Sequence, residues 1–247
     1  MAEYSAINCP WYDAEQVESH IKTARANPSE YNQRILGHWE GITVDRIFTG
    51  FTDQSVVNVD DMTIDGQPCI VCDWGEKIGS TFISLAMLDN KGRIVIIDEH
   101  KNKKKGTATY AAQAIVNMLD RNGLNVGDPS IRWIGDVNVT QAQGEAGGYV
   151  GVKFNDLVRD EIAALTGVYI RFRVPAKFNG SVSHGRRRTN EELAAGRLLI
   201  DQGCKSVLQS LKHWQGTKQF NNKNNHDATL SHAADAVVYT VLEFTRR

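Results

Sequence analysis

Cysteine is scarce. Cys9, Cys69, Cys72 and Cys204 are the only four in 247 residues, too few and too scattered for the disulfide framework that staples small secreted domains. Cys69 and Cys72 have the CxxC spacing of a redox pair or half a zinc site, but no second CxxC or close Cys/His pair completes a tetrahedral set. Pro68-Cys69-Ile70-Val71-Cys72-Asp73 reads instead as a buried strand, where positions i and i+3 face opposite ways and both cysteines are small core residues. Long apolar runs are missing too: none approaches the roughly 20 residues that span a bilayer. Met1 to Tyr12 lacks the charged start and apolar core of a signal peptide, which predicts a cytosolic protein. Nor is there an excess of charge, since 28 Lys+Arg stand against 29 Asp+Glu, a formal net charge of −1. Proteins that coat nucleic acid non-specifically carry a large basic excess, so that class is disfavoured. A nuclease, whose acidic metal site can offset a basic groove, is not excluded. There is no internal repeat, no low-complexity tract and no GxxxxGK[ST] phosphate loop.

What is present, 41% hydrophobic and 23% charged residues, is ordinary for a soluble globular chain, and the length suits one large α/β domain or one with an appendage. Asp13 to Ala26 has helical character, with Val17, Ile21 and Ala24 on one face, before Asn27-Pro28-Ser29 interrupts it. From Tyr31 to Phe51 short apolar clusters alternate with polar residues and three glycines, the texture of a linker that packs onto something larger. From Gln67 onward the pattern is regular. Strands are predicted at Cys69 to Asp73, Thr81 to Leu88 and Arg93 to Asp98, joined by short turns into an antiparallel meander. A helix over Thr107 to Leu119, a strand over Ile131 to Ile134, a helix over Phe154 to Leu165, a strand over Val168 to Val174 and helices over Lys205 to Trp214 and Thr229 to Phe244 follow. The order β-β-β-α-β-α-β-α-α predicts an α/β fold, a mixed five-stranded sheet with helices on both faces. A doubly wound nucleotide-binding fold would start β-α-β with a glycine-rich turn, whereas Trp74-Gly75-Glu76-Lys77-Ile78-Gly79 departs from GxGxxG and leads into another strand.

Three aspartates sit where aspartate is disfavoured. Asp73 ends the first apolar strand, Asp136 ends the fourth, and Asp235 lies inside the apolar run Ala233-Ala234-Asp235-Ala236-Val237-Val238. Aspartate is depleted from strands and poor in helix interiors, and a buried carboxylate costs several kcal/mol unless paired or metal-bound. Strand order makes the first and fourth strands parallel neighbours, so Asp73 and Asp136 can stand side by side, with Asp235 brought to them by a crossing helix. Clustered carboxylates repel unless divalent cations neutralise them, and hard oxygen ligands suit Mg²⁺ or Mn²⁺. A strand-end Asp is also a common turn residue. Asp235 has no such alternative, because a structural Asp there needs a cation that its helix does not supply.

With these residues in view, the chain resembles the nuclease domain of the large terminase subunit of tailed bacteriophages, a ribonuclease H-like family. The resemblance runs through Gly37-His38-Trp39-Glu40 with Phe48 and Phe51 beyond, Asp73-Trp74-Gly75, the strand Ile94 to Glu99, Gly135-Asp136, Gly196 to Cys204, and His232-Ala233-Ala234-Asp235-Ala236. It implies a metal-dependent endonuclease that cuts concatemeric viral double-stranded DNA during genome packaging in the host cytoplasm. Asp73, Asp136 and Asp235 match the catalytic, metal-binding acids. His232, one helical turn before Asp235, matches a position that helps the metal site in some members, and a core or capping histidine is the alternative. Asp227 matches an acidic position in part of the family and also reads as a helix N-cap. Glu99 recurs at its strand end. Two cations about 3.5–4 Å apart would activate a water for in-line attack and stabilise the departing 3′ oxygen without a covalent enzyme intermediate, with Asp73 as the bridging ligand. The resemblance also implies residues 1–55 as a linker following an ATPase domain, 56–247 as the nuclease domain, and the ATPase domain, small terminase subunit and portal protein as partners.

Two basic segments could hold DNA. Lys101, Lys103, Lys104 and Lys105 form a lysine loop, which also reads as a solvated face. Arg171, Arg173, Lys177, Arg186, Arg187 and Arg188 form a second cluster, read as a β-hairpin tracking phosphates. Neither suggests base-specific readout. Within the same fold, Holliday-junction resolvases, transposases and proofreading exonucleases would share the acids. A non-catalytic DNA-binding or motor-docking module is the alternative of a different class, and retention of all three acids argues against it.

Overall fold

A computed structural model describes residues 13–15, 17–18, 46–75, 80–103, 106–136, 153–175, 181–214 and 228–246, with the backbone alone at 228 and 229. Its centre is a mixed sheet of six strands: β1 (Val56–Val57), β2 (Cys69–Asp73), β3 (Phe82–Leu88), β4 (Ile94–Lys101), β5 (Arg132–Gly135) and β6 (Leu198–Asp201), in the spatial order β1-β6-β4-β3-β2-β5. Antiparallel pairing of β2 with β3 and of β3 with β4 makes the expected meander. The pairs β2–β5, β4–β6 and β1–β6 are parallel, as strands reached through crossovers must be. Among the described residues these helices pack on the sheet: α1 (Ala108–Arg121), α2 (Phe154–Thr166), α3 (Ser181–Ala194), α4 (Lys205–His213) and α5 (Ala228–Phe244). In the N-terminal segment, 14, 15, 17 and 18 are helical, while 16 and 19–26 lie outside the described residues.

Strand alternation divides the core into two layers. Cys69, Val71, Phe82, Ala86, Ile96 and Ile200 meet Ala233, Val237 and Val241 of α5 and Val207 and Leu211 of α4 on one face. Ile70, Cys72, Ile83 and Leu85 meet Ala111, Ile115 and Met118 of α1 and Val158 and Ile162 of α2 on the other. Cys69 and Cys72 therefore point to opposite faces, both buried and free, and burial pushes both thiols up from their ordinary value. They are core residues, as the CxxC spacing in a strand predicts. Phe48 and Phe51 insert into the α5 layer, and the turn between them is tied down where Asn190 of α3 accepts from Gly50 N–H at 3.0 Å and donates to Ile47 O at 2.8 Å.

Two expectations are corrected. The sheet has six strands rather than five, and Val168 to Val174 is not one of them. That segment makes one parallel bridge beside β5, between Ile134 and Arg173, with Arg173 N–H donating to Trp133 O at 2.7 Å and Gly135 N–H to Arg173 O at 2.9 Å. Phe172 is set edge-on to both Trp74 and Trp133, so ring packing holds the segment where a ladder would otherwise run. The strands not expected are the short β6, within the Gly196 to Cys204 stretch, and the two-residue β1. The second correction concerns the basic hairpin. Arg186, Arg187 and Arg188 lie on helix α3, and 176–180, including Lys177, fall outside the described residues.

Candidate active site

Asp73 closes β2, and Asp136 follows β5 directly. The two strands pair as far as Cys72 with Gly135, and Asp136 N–H donates to Cys72 O at 3.0 Å. The acids stand abreast on parallel neighbours, whose backbones lie about 4.8 Å apart. Alternation turns them the same way: Asp73 is two residues beyond Val71, Asp136 two beyond Ile134, and both of those belong to the layer beneath α5. Asp73 is 4% and Asp136 8% exposed, so neither carboxylate is an ordinary solvated turn residue.

Helix α5 reaches this face because Ala233, Ala234 and Ala236 let it sit close to the sheet. His232, Asp235 and Tyr239 recur at i, i+3 and i+7 and share its other face. His232 Nδ1 donates to Asp73 Oδ2 at 2.5 Å. Burial alone would lower the His232 imidazole, but the hydrogen bond and charge of Asp73, with Asp235 and Asp136 behind it, raise it above its ordinary value. His232 is thus a hydrogen-bonded partner of Asp73. Burial and the charge of Asp73 push the Asp235 carboxyl up to about 7, opposed by Arg186 and His232 and assisted by Asp136. Tyr239, also raised by burial and by Asp136, Asp73 and Asp235, stays a neutral donor. Arg186 of α3 lies over the Trp214 ring, 4.6 Å from its centroid. Burial lowers its guanidinium while Asp235 draws it back up.

Asn155 supports the strand ends from the opposite layer. Its side chain accepts from Trp74 Nε1 at 2.5 Å and donates to Gly135 O at 3.3 Å and Asp136 O at 3.2 Å, tying the residue after Asp73 to the backbone of Asp136. Gly135 is required at this contact, because a Cβ there would lie 2.1 Å from Asn155 Oδ1. Neither Asn155 nor Tyr239 stands out in the sequence. A polar residue in the first turn of a helix resembles a capping residue, and a tyrosine in an apolar run resembles core.

The three expected acids thus share one electrostatic neighbourhood, and His232 joins them. Their oxygen donors and mutual repulsion fit a hard divalent cation. Among the described residues, however, no three His, Cys, Asp or Glu side chains form a ready-made ligand group, and Asp227 lies outside those residues. Glu99 has a different position: its carboxylate accepts from Ser206 N–H at 2.7 Å and Val207 N–H at 2.8 Å, capping the positive start of α4. Lys103 is exposed just beyond β4, while Lys104 and Lys105 lie outside the described residues. Arg187 and Arg188 pair with Glu191 of their own helix at 2.7 Å and 2.9 Å. Arg173 pairs with Glu243 of α5, and Arg171 is exposed. Among the described residues no helix is long and apolar enough to cross a membrane.

No protein-family model matches the sequence, and no curated protein matches it. Solved structures do. The large terminase of a thermophilic bacteriophage superposes with a TM-score of 0.60 at 16% identity, over 94% of this chain and 52% of that one, so the chain spans about half the length of that protein. The nuclease domain of the P22 large terminase matches with a TM-score of 0.50 at 17% identity, over 78% of this chain and 89% of that one. The nuclease domain of the large terminase of bacteriophage SPP1, solved with bound Mn, matches with a TM-score of 0.50 at 16% identity, over 81% of this chain and 98% of that one. At such identities the likeness is one of fold: this chain has the ribonuclease H-like fold of the nuclease domains of phage large terminases.

Proposed function

We propose that this chain is a metal-dependent endonuclease of the terminase type, cleaving concatemeric viral double-stranded DNA during genome packaging in the host cytoplasm. The observation that supports the reading is that Asp73 and Asp136 stand at the ends of parallel neighbours β2 and β5 within electrostatic reach of Asp235 on α5, whose carboxyl is pushed up to about 7 by burial and the charge of Asp73. A carboxylate set so destabilised by its own members is costly to a fold that does not use it. Asp73, Asp136 and Asp235 would hold two Mg²⁺ or Mn²⁺ ions, with Asp227 and His232 as further contributors. When bound, such ions supply Lewis acidity towards the phosphate and lower the pKa of water. His232 Nδ1–H donates to Asp73 Oδ2 and so orients that carboxylate, and Arg186 offers positive charge beside Asp235. Lys103, Lys104, Lys105, Arg171, Arg173, Lys177, Arg186, Arg187 and Arg188 are the proposed DNA contacts. Residues 1–55 are the proposed linker segment, with Phe48 and Phe51 seated in the core of the nuclease domain, 56–247. An ATPase domain, the small terminase subunit and the portal protein are the proposed partners.

Plasmid nicking with Mn²⁺, Mg²⁺ or EDTA tests this. Cleavage should need the metal and be abolished by Asp73→Asn. Metal-independent cleavage, no cleavage with either metal, or an undiminished rate in the variant would overturn the assignment.

A further inference from the structure

Helix α5 runs antiparallel to β5 along its length. At one end Asp235 lies in the field of Asp136. At the other, Glu243 Oε1 meets Arg132 NH1 at 3.5 Å and also pairs with Arg173. The two lengths agree, since eight helical residues rise about 12 Å and four strand residues about 13 Å. Along this course Tyr239 and Glu243, four residues apart on α5, face two adjoining cavities. The first, about 280 Å³, is lined by Ile134, Pro175, His184, Arg188, Tyr239 and Leu242, among others. The second, about 520 Å³, is lined by Arg132, Arg171, Arg173 and Arg246 around Glu243. Glu243 and Arg246 line both cavities, which makes them one groove.

Positive charge dominates the groove: Arg132, Arg171, Arg173, Arg188 and Arg246 line it, and Glu243 is the one carboxylate among its lining residues. Arg132 is held in place before any ligand arrives: its Nε donates to Gln67 Oε1 at 2.7 Å, its NH1 reaches Glu243, and its guanidinium lies 5.4 Å from the centroid of the Phe244 ring. A guanidinium already fixed on three sides loses little further freedom on binding an anion. Arg171 and Arg246 are exposed and make no ion pair with a described residue. Only a ligand with repeated negative charge matches a row of this length. Duplex DNA presents one phosphate per strand about every 3.4 Å of axis, so the arginine end lies about three to four phosphates from the acids.

We infer that the groove between β5 and α5 is a track for the phosphodiester backbone of double-stranded DNA, in which Arg132, Arg171, Arg173 and Arg246 hold the strand at a distance from the acids. The identity of the polyanion rests on the nuclease reading; the presence of a polyanion track does not. Fluorescence anisotropy with a labelled 20-bp duplex in EDTA, across 50–300 mM salt, tests it without cleavage. The Arg171→Ala/Arg246→Ala double variant, which removes two exposed side chains, should bind about fivefold or more weakly at 150 mM salt and reduce the slope of log K against log salt by about 1–2, as does the loss of one or two phosphate contacts. Arg132→Ala should reduce the slope by about 1. Lys91→Ala, on the exposed β3–β4 turn at the end of the sheet away from the acids, should stay within twofold of wild type. An unchanged slope in the double variant, or an equal loss in Lys91→Ala, would sink the track. Nicking assays keep the two readings apart: intact metal-dependent nicking with an unchanged slope removes only the track, and absent nicking with the expected slope change removes only the nuclease.

Discussion

Replacing Asn155 with alanine removes the clamp that joins the two strand ends carrying Asp73 and Asp136. Three hydrogen bonds go: the one accepted from Trp74 Nε1 at 2.5 Å and the two donated to Gly135 O and Asp136 O at 3.3 Å and 3.2 Å. Trp74 is 2% exposed, so its indole N–H loses this acceptor where water does not replace it, which costs about 1–3 kcal/mol. The two longer bonds add about 0.5 kcal/mol each. The expected loss is therefore about 2–4 kcal/mol, lowering Tm by about 5–12 °C in a chain of this size. Urea unfolding followed by tryptophan fluorescence measures it. Nicking with Mn²⁺, assayed at a temperature where the variant is still folded, should fall at least tenfold, because a shift of about 1 Å in catalytic geometry costs on the order of 10²-fold. A stability loss under about 0.5 kcal/mol, or nicking at the wild-type rate, would refute the idea that Asn155 sets the spacing of the acids. Asn155→Asp should fare worse than alanine in nicking, since it turns an acceptor on two carbonyls and adds charge beside Asp136.

Gly185→Ala places a Cβ 2.4 Å from Val238 Cγ1, forcing α3 away from α5; a destabilisation of about 1–3 kcal/mol by urea melting is expected, and none would mean that the helices separate freely. At Asp89, burial alone would raise the carboxyl, but hydrogen bonds from Arg93 and Lys91 and the charge of Arg93 hold it below its ordinary value. Its stabilising contribution is therefore complete above about pH 4 and lost as pH falls through the folded-state value. Urea midpoints measured from pH 6 to pH 2 should fall less steeply in Asp89→Ala, and equal acid limbs would count against the role of this turn. In a Cys9→Ser background, Cys69, Cys72 and Cys204 should react with iodoacetamide only on unfolding, because burial raises all three thiols. Rapid labelling of the native protein would contradict the two-layer core.

What could be read in advance followed from conflict between residue type and position. An aspartate inside Ala233 to Val238 and two at the ends of apolar strands break local preference, and strand order alone placed the first and fourth strands side by side. The elements that escaped were those whose local pattern is faint or deceptive. β1 and β6 have two and four residues, too short for a period to register. Val168 to Val174 alternates like a strand, yet is held by the ring of Phe172 wedged against Trp74 and Trp133. Helix α3 is polar over most of its surface and buries only Gly185, Thr189, Glu192 and Leu193, so no apolar stripe announces it. The arginine clusters were visible as charge, but their Glu191, Glu192 and Glu243 partners depend on helix phase and tertiary contact.

The bond between His232 and Asp73 joins residues 159 apart in the chain. Contacts of such span are entropically expensive to form early, and on the ribosome α5 is made after every strand of the sheet. A nascent chain can therefore build the β2–β3–β4 meander and place Asp73 and Asp136 while still lacking Asp235. On the proposed nuclease reading, the set of acids is complete only once helix α5 has docked, so the timing of synthesis would withhold cleavage of DNA until then.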